Sequence, residues 1–239
     1  MLFTPEMSGL LDRNRDRAGG RIVEEDADPV LLAVREAAAR EGIWVALGSL
    51  ALARPDGRWA NRSLVISPDG AIAGRYDKIH MFDVELAGGE TWRESSAYAA
   101  GEEVTVVEGT PVGRLGLAVC YDIRFPAFFE ELGRRGCDVI AIPAAFTVPT
   151  GQAHWHLLQR ARAVEASAYV VAAAQVGQHE DGRRTYGHSL VIDPWGEVLL
   201  DLGGEGPGLG YAEIEPRRIK SVRAQLPSLA NRRPIPKST

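Results

Sequence analysis

The chain has 239 residues, 45% hydrophobic and 25% charged, with a formal net charge of −5. This is the composition of an ordinary globular protein of one large domain or two small ones, and its acidic balance gives no bulk attraction to nucleic acid or to an anionic membrane. Two cysteines, Cys120 and Cys137, are no disulfide framework. No apolar run approaches the ~18 residues of a membrane span, and the start, Met1-Leu2-Phe3-Thr4-Pro5-Glu6, lacks a basic segment followed by an apolar one, so a cytoplasmic setting is expected.

Asp28-Pro29 pairs an N-cap with proline at the first helical position. The helix it opens carries Leu31, Leu32, Val34 and Ala38 at helical spacing and stops at Gly42. Ile43-Trp44-Val45-Ala46-Leu47 reads as a strand buried on both faces. The turn Pro68-Asp69-Gly70 separates Ser63-Leu64-Val65-Ile66 from Ala71-Ile72-Ala73-Gly74-Arg75-Tyr76, a hairpin. Residues 83–103 read as a polar loop. Gly116-Leu117-Ala118-Val119-Cys120 is a buried strand ending in a thiol, and Tyr121-Asp122-Ile123-Arg124-Phe125-Pro126 turns it into a helix that Gly136 ends. A strand over residues 138–142 follows, with Cys137 as a structural residue at its entrance. A long helix is expected over about residues 152–168 and a buried strand over 169–174. Two further strands flank the turn Asp193-Pro194-Trp195-Gly196-Glu197, a last strand is expected over 210–214, and Pro216 opens a final helix. No composition marks a domain linker, and the alternation of helices with hairpins indicates α/β with a mixed sheet or two sheets.

Strand ends are where α/β proteins place their chemistry, although a lone cysteine in such a run is equally a small core residue. A nucleophilic thiol needs a base, or a cation that lowers its pKa. Glu6 follows a short strand-like run, Lys78 ends the hairpin in Tyr76-Asp77-Lys78-Ile79-His80, and Glu94 lies in Trp92-Arg93-Glu94-Ser95. Taken singly, each is an ordinary loop charge. The other chemistries fit less well. Gly187-His188-Ser189-Leu190-Val191 lacks the last glycine of a serine nucleophile elbow. His154 and His156, two apart on a helix, do not face each other as zinc ligands would. The glycine-rich residues 203–208 match neither a P-loop nor a dinucleotide fingerprint.

Taken together, Thr4-Pro5-Glu6-Met7, Arg75-Tyr76-Asp77-Lys78-Ile79-His80-Met81-Phe82-Asp83-Val84, Arg93-Glu94-Ser95 and Leu117-Ala118-Val119-Cys120-Tyr121-Asp122-Ile123-Arg124-Phe125-Pro126 resemble the nitrilase superfamily of carbon–nitrogen hydrolases. So do Thr150-Gly151-Gln152-Ala153-His154-Trp155, Arg160-Ala161-Arg162-Ala163-Val164-Glu165 and Tyr186-Gly187-His188-Ser189, in the family's order along nearly the whole chain. The resemblance implies a single domain with the four-layer α-β-β-α sandwich, usually a homodimer or larger homo-oligomer. It also implies a Glu–Lys–Cys triad at Glu6, Lys78 and Cys120, with Glu94 assisting. Tyr121 would supply an oxyanion N–H, and Ala145, Phe146 and Thr147 would line the pocket. Arg124 is left open between a substrate anion and a structural ion pair with Asp122 or another core carboxylate. No metal or organic cofactor is required, and the partner is a small-molecule amide substrate, not nucleic acid or membrane.

Residues 169–179 and Thr185-Tyr186-Gly187-His188-Ser189 resemble the deaminated glutathione amidase branch. This implies an amidase that cleaves an α-keto acid amide through a thioester and releases ammonia or an amine. An omega-amidase acting on 2-oxoglutaramate, another amidase or N-carbamoyl hydrolase of the superfamily, and a catalytically impaired binding protein on the same fold remain alternatives. The family carries a strand and a helix ahead of its first glutamate, which here is residue 6. The chain is therefore expected to be N-terminally short by a βα unit of roughly 30 residues, with an unpaired sheet edge, an uncovered apolar face, and weak solubility or lost activity.

Overall fold

In a computed structural model, residues 1–85, 89 and 91–236 are described; residues 86–88 and 90 of the expected polar loop, and 237–239, lie outside the described residues. The first sheet has the order β1 (Leu2–Phe3), β2 (Val45–Ala53), β3 (Trp59–Ile66), β4 (Ile72–Asp77). β1 is its edge strand and runs parallel to β2. β2, β3 and β4 form an antiparallel meander, so β1 and β4 point the same way and end on the same side. The expected polar loop also holds a hairpin, β5 (Asp83–Glu85) with β6 (Thr91–Arg93), and a 3₁₀ turn at Glu94–Ser96.

The second sheet comprises β7 (Val106–Thr110), β8 (Gly113–Leu117), β9 (Val139–Ala141) and β10 (Tyr169–Ala172). A small hairpin, β11 (Val176–Gln178) with β12 (Arg184–Tyr186), stands apart from it, and β13 (Leu190–Ile192) and β14 (Val198–Asp201) complete it in the order β14-β13-β10-β9-β8-β7. β8, β9 and β10 are parallel. The helices are α1 (Arg15–Gly19), α2 (Pro29–Glu41), α3 (Pro126–Arg134), α4 (Val148–Ala166) and α5 (Pro216–Gln225).

α2 begins as expected, with the Asp28 side chain accepting from Leu31 N and Gly42 closing the helix in the left-handed conformation. It sets Leu31 and Ala38 against Val45, Leu47, Leu50, Leu52, Leu64 and Ile66 on one face of the first sheet. The opposite face presents Ala46, Val65 and Tyr76 to the second sheet, whose far side is covered by α3 and α4 through Phe129, Leu132, Trp155 and Ala163. The layers therefore run α2, sheet, sheet, α3/α4, the expected α-β-β-α sandwich. A buried aliphatic or aromatic side chain contributes about 1.5–3 kcal/mol, so the two apolar clusters hold the layers together.

Three expectations change. α4 starts at Val148, not near residue 152, because Pro149 sets the first turn. Gly151 lies inside that turn, where a Cβ would come within 2.3 Å of the Tyr186 ring; it marks a close helix–strand contact and not a loop. The strand expected over 210–214 is absent. Those residues form no ladder; Gly210 packs against Leu200 and Leu202, and the N–H of Glu215 bonds the Tyr169 hydroxyl at 3.3 Å. The strand holding Cys120 ends at Leu117, and Cys120 itself opens a 3₁₀ helix, Cys120–Arg124. Cys137 is fully buried at the entrance to β9, as expected, and burial pushes its thiol up to about 12.

Candidate active site

The first sheet delivers two charges to one point. Glu6 follows β1 on a segment fixed by Thr4 N to Ala46 O, 3.1 Å, and Ser8 N to Ser49 O, 2.9 Å. That segment crosses directly over Gly48, where a Cβ would lie 2.1 Å from Thr4 O and 2.3 Å from Pro5 O; no residue with a side chain lets Glu6 approach this closely. Lys78 follows β4. The second sheet delivers Cys120 after β8 and Ala145 after β9. The nucleophile candidate and the charged pair thus come from different sheets and meet at the C-terminal ends of their strands.

Glu6 and Lys78 are 5% and 2% exposed. Lys78 Nζ donates to Glu94 Oε2 at 2.8 Å and Oε1 at 3.1 Å, and to Glu6 Oε1 at 3.3 Å. The other oxygen of Glu6 accepts from Ala145 N at 2.9 Å, and Glu94 Oε2 accepts from Phe82 N at 2.6 Å. Burial alone would depress the Lys78 ammonium. The Glu94 and Glu6 carboxylates outweigh it and hold the group well above the usual lysine range. Burial and the Glu6 charge push the Cys120 thiol well above its ordinary value, against the opposing pull of Lys78 and the Ala145 N–H. At neutral pH Cys120 is therefore a thiol whose proton needs an acceptor, and the Glu6 carboxylate on the same cavity wall is the acceptor at hand.

Cys120 has φ +48°, a left-handed conformation unusual for a side-chain-bearing residue. The surrounding structure holds it there. Cys120 N bonds Pro143 O at 2.9 Å. The Asp122 carboxylate is fully buried and accepts from Val119 N at 2.8 Å, the Tyr76 hydroxyl at 2.7 Å and His80 N at 3.1 Å. The His80 ring, 2.7 Å from Asp122 through Nδ1, stacks on Phe125 at 3.6 Å.

All eight expected site residues, Glu6, Lys78, Glu94, Cys120, Tyr121, Ala145, Phe146 and Thr147, line one cavity of about 260 Å³. Arg124 joins them, and the ion pair considered for it with Asp122 does not form. In a 3₁₀ turn, residues two apart point to different sides. Asp122 faces inward to its own turn, while Arg124 faces the cavity, 3.3 Å from His154 Nδ1 and with its guanidinium carbon 5.5 Å from the Phe146 ring centre.

Asn61 escapes a reading of the sequence. It lies 1% exposed in β3, and its Nδ2 donates to Glu6 Oε1 at 2.9 Å and Glu94 Oε1 at 3.1 Å. The amide nitrogen must face these oxygens, because an amide oxygen there would oppose two carboxylates. Nothing in the strand sets it apart, because its neighbours Arg62 and Ser63 are polar too. Gln175 Nε2 likewise holds the Glu6 carbonyl, at 2.9 Å. Asn61→Ala is expected to lower kcat about 10–100-fold with little change in KM, and to cost about 1.5–3 kcal/mol in a urea melt, since it removes bonds to charged groups.

Residues 4–224 match the family model for carbon-nitrogen hydrolases. The chain belongs to that family. It is a hydrolase of carbon–nitrogen bonds, an amidase. Over 98% of the chain it is 41% identical to a deaminated glutathione amidase of Yersinia enterocolitica, 82% of which is covered. Over 74% of the chain it is 48% identical to one of Synechocystis sp., 65% of which is covered. In three dimensions this carbon–nitrogen hydrolase superposes on the crystal structure of the C. elegans NitFhit protein with a TM-score of 0.85 at 37% identity, over 97% of this chain and 57% of that one.

Proposed function

We propose that this carbon–nitrogen hydrolase cleaves the side-chain amide of an α-keto acid, with deaminated glutathione as the preferred substrate. The observation that carries this reading is Arg124, whose guanidinium opens into the same cavity as the Cys120 thiol, with Arg13, Arg15 and Arg183 also on its wall. A bidentate cation of this kind suits the α-keto carboxylate. Relatives named for that activity support the choice of substrate.

The chemistry follows from charge conservation. At rest the site holds two carboxylates, one ammonium and a neutral thiol. When the Cys120 proton passes to Glu6, the negative charge moves onto sulfur and the site's total is unchanged. Attack on the amide carbonyl moves that charge onto oxygen, where Lys78 Nζ and the Tyr121 N–H stabilise it. Glu6 returns its proton to the departing nitrogen as the C–N bond breaks, leaving a thioester on Cys120. Glu6 then takes a proton from water as the hydroxyl adds to the thioester; the C–S bond breaks, the acid leaves, and Glu6 returns that proton to the Cys120 sulfur, restoring the thiol and the carboxylate. Glu94 keeps Lys78 charged and in place throughout.

The test is amine release from deaminated glutathione beside ammonia release from 2-oxoglutaramate. Preference for the first is expected; ready turnover of 2-oxoglutaramate without turnover of deaminated glutathione would assign the chain to the omega-amidase reaction instead. Arg124→Gln is expected to raise KM for the keto acid about 10–100-fold, the worth of a charge-assisted pair, while leaving kcat and the turnover of uncharged amides nearly unchanged.

A further inference from the structure

Away from the catalytic cavity, three side chains from three elements converge. His156 lies on α4, His188 just before β13, and Asp201 at the end of β14. Helical spacing argued against His154 and His156 as a pair, and the fold instead gives His156 two partners distant in sequence. His156 Nε2 is 2.9 Å from Asp201 Oδ2, and His188 Nδ1 is 2.9 Å from Asp201 Oδ1 and 3.1 Å from Oδ2. One ligand atom from each residue lies within 4.8 Å of the others.

The groups are held in place. Asp201 Oδ1 accepts from Gly203 N at 2.8 Å, His188 N donates to Gly203 O at 2.7 Å, and Trp155 Nε1 donates to His188 O at 2.7 Å. The Tyr186 ring stacks on His188 at 4.4 Å. His188 has φ +55°, a strained conformation found at ligand clamps. Partners that fix the backbone and carboxylate of a ligand set are what orient a metal site. The three side chains are 24–36% exposed, so an ion can enter and keep water on its open positions.

We propose that His156, His188 and Asp201 form a binding site for a borderline divalent ion, Zn²⁺ or a neighbouring first-row metal. Two imidazoles and one carboxylate suit this class, whereas Mg²⁺ and Ca²⁺ prefer oxygen ligands alone. With metal–ligand bonds of about 2.0–2.2 Å, tetrahedral ligands stand roughly 3.4 Å apart. The present 2.9 Å contacts therefore open by about half an ångström as the ion replaces the hydrogen bonds. The bound ion clasps α4 to the β13–β14 hairpin.

The test uses the full chain carrying Cys120→Ala, stripped of metal with a chelator, so that the site thiol contributes no ligand and failure of the proposed catalytic reading does not affect the result. Zn²⁺ titrated against a chromogenic chelator is expected to fill one site per chain, with affinity at least about tenfold weaker in His156→Gln and in Asp201→Asn. Mg²⁺ is expected not to compete. In the chain with all three residues intact, Zn²⁺ is expected to protect His156 and His188, but not His154, from diethyl pyrocarbonate, read by peptide mass. That protection keeps the proposal testable if a variant fails to fold. No saturable Zn²⁺ binding, equal affinity in both folded variants, or unchanged modification of His156 and His188 would overturn it.

Discussion

Lys78→Met is expected to abolish amide hydrolysis and to destabilise the folded protein by about 3–5 kcal/mol, the cost of removing one partner from a buried ion cluster. Against a typical total of about 5–15 kcal/mol, that is a large share. The reason lies in the contacts. Lys78 Nζ bonds both Glu94 and Glu6, and its removal leaves two carboxylates facing each other, bridged by the neutral Asn61 amide. One of them then binds a proton more tightly when folded than when unfolded. Stability of the variant therefore falls as pH rises from the unfolded carboxyl value, about 4.3, toward the raised folded one. The native protein behaves differently. Its Lys78 is raised in the folded state, so its contribution is complete below about pH 10 and is lost only above it. Urea melts of both proteins between pH 5 and 8 are expected to diverge as pH increases. A variant as stable as the native protein at pH 8 would contradict the buried cluster.

Cys120→Ala is expected to lower kcat by at least about 10⁴-fold, as loss of a covalent nucleophile does, while substrate still binds. Stability should change by less than about 1 kcal/mol, because a small side chain replaces a small one and Ala also has to occupy φ +48°. The discriminating measurement is mass spectrometry of quenched turnover mixtures. The native chain should carry a substrate-derived acyl mass on Cys120 and the variant none. Residual turnover within about tenfold of the native rate would remove the thioester from the mechanism. Loss of ligand affinity along with turnover would mean that the thiol serves binding more than chemistry.

The layers of the fold were legible because burial writes itself as hydrophobic runs. α2 announced its ends through Asp28-Pro29 and Gly42, and β2, β9 and β10 appeared as continuous apolar segments. The β5–β6 hairpin was not legible. Each strand has three residues and only its central side chain, Val84 or Trp92, is half-buried, so no period of two can show. Glu6, Lys78, Glu94 and Cys120 were found through family motifs; by residue type alone each was ordinary. Asn61, Arg124 and the His156 cluster depend on contacts across sheets and helices. Helical or strand spacing cannot report a partner 45 residues away, as Asp201 is from His156.

The split of the site between two sheets also bears on how the enzyme comes into being. Glu6 and Lys78 stand on one β-layer and Cys120 on the other, and the Glu6 carbonyl is tied to Gln175, 169 positions along the chain. No local segment contains both the thiol and its base. A nascent or half-folded chain therefore carries an ordinary cysteine, without the neighbours that make it react. Chemical competence arrives only as the two layers close on each other, so recovery of turnover during refolding reports that last docking event and not the earlier growth of helix and strand.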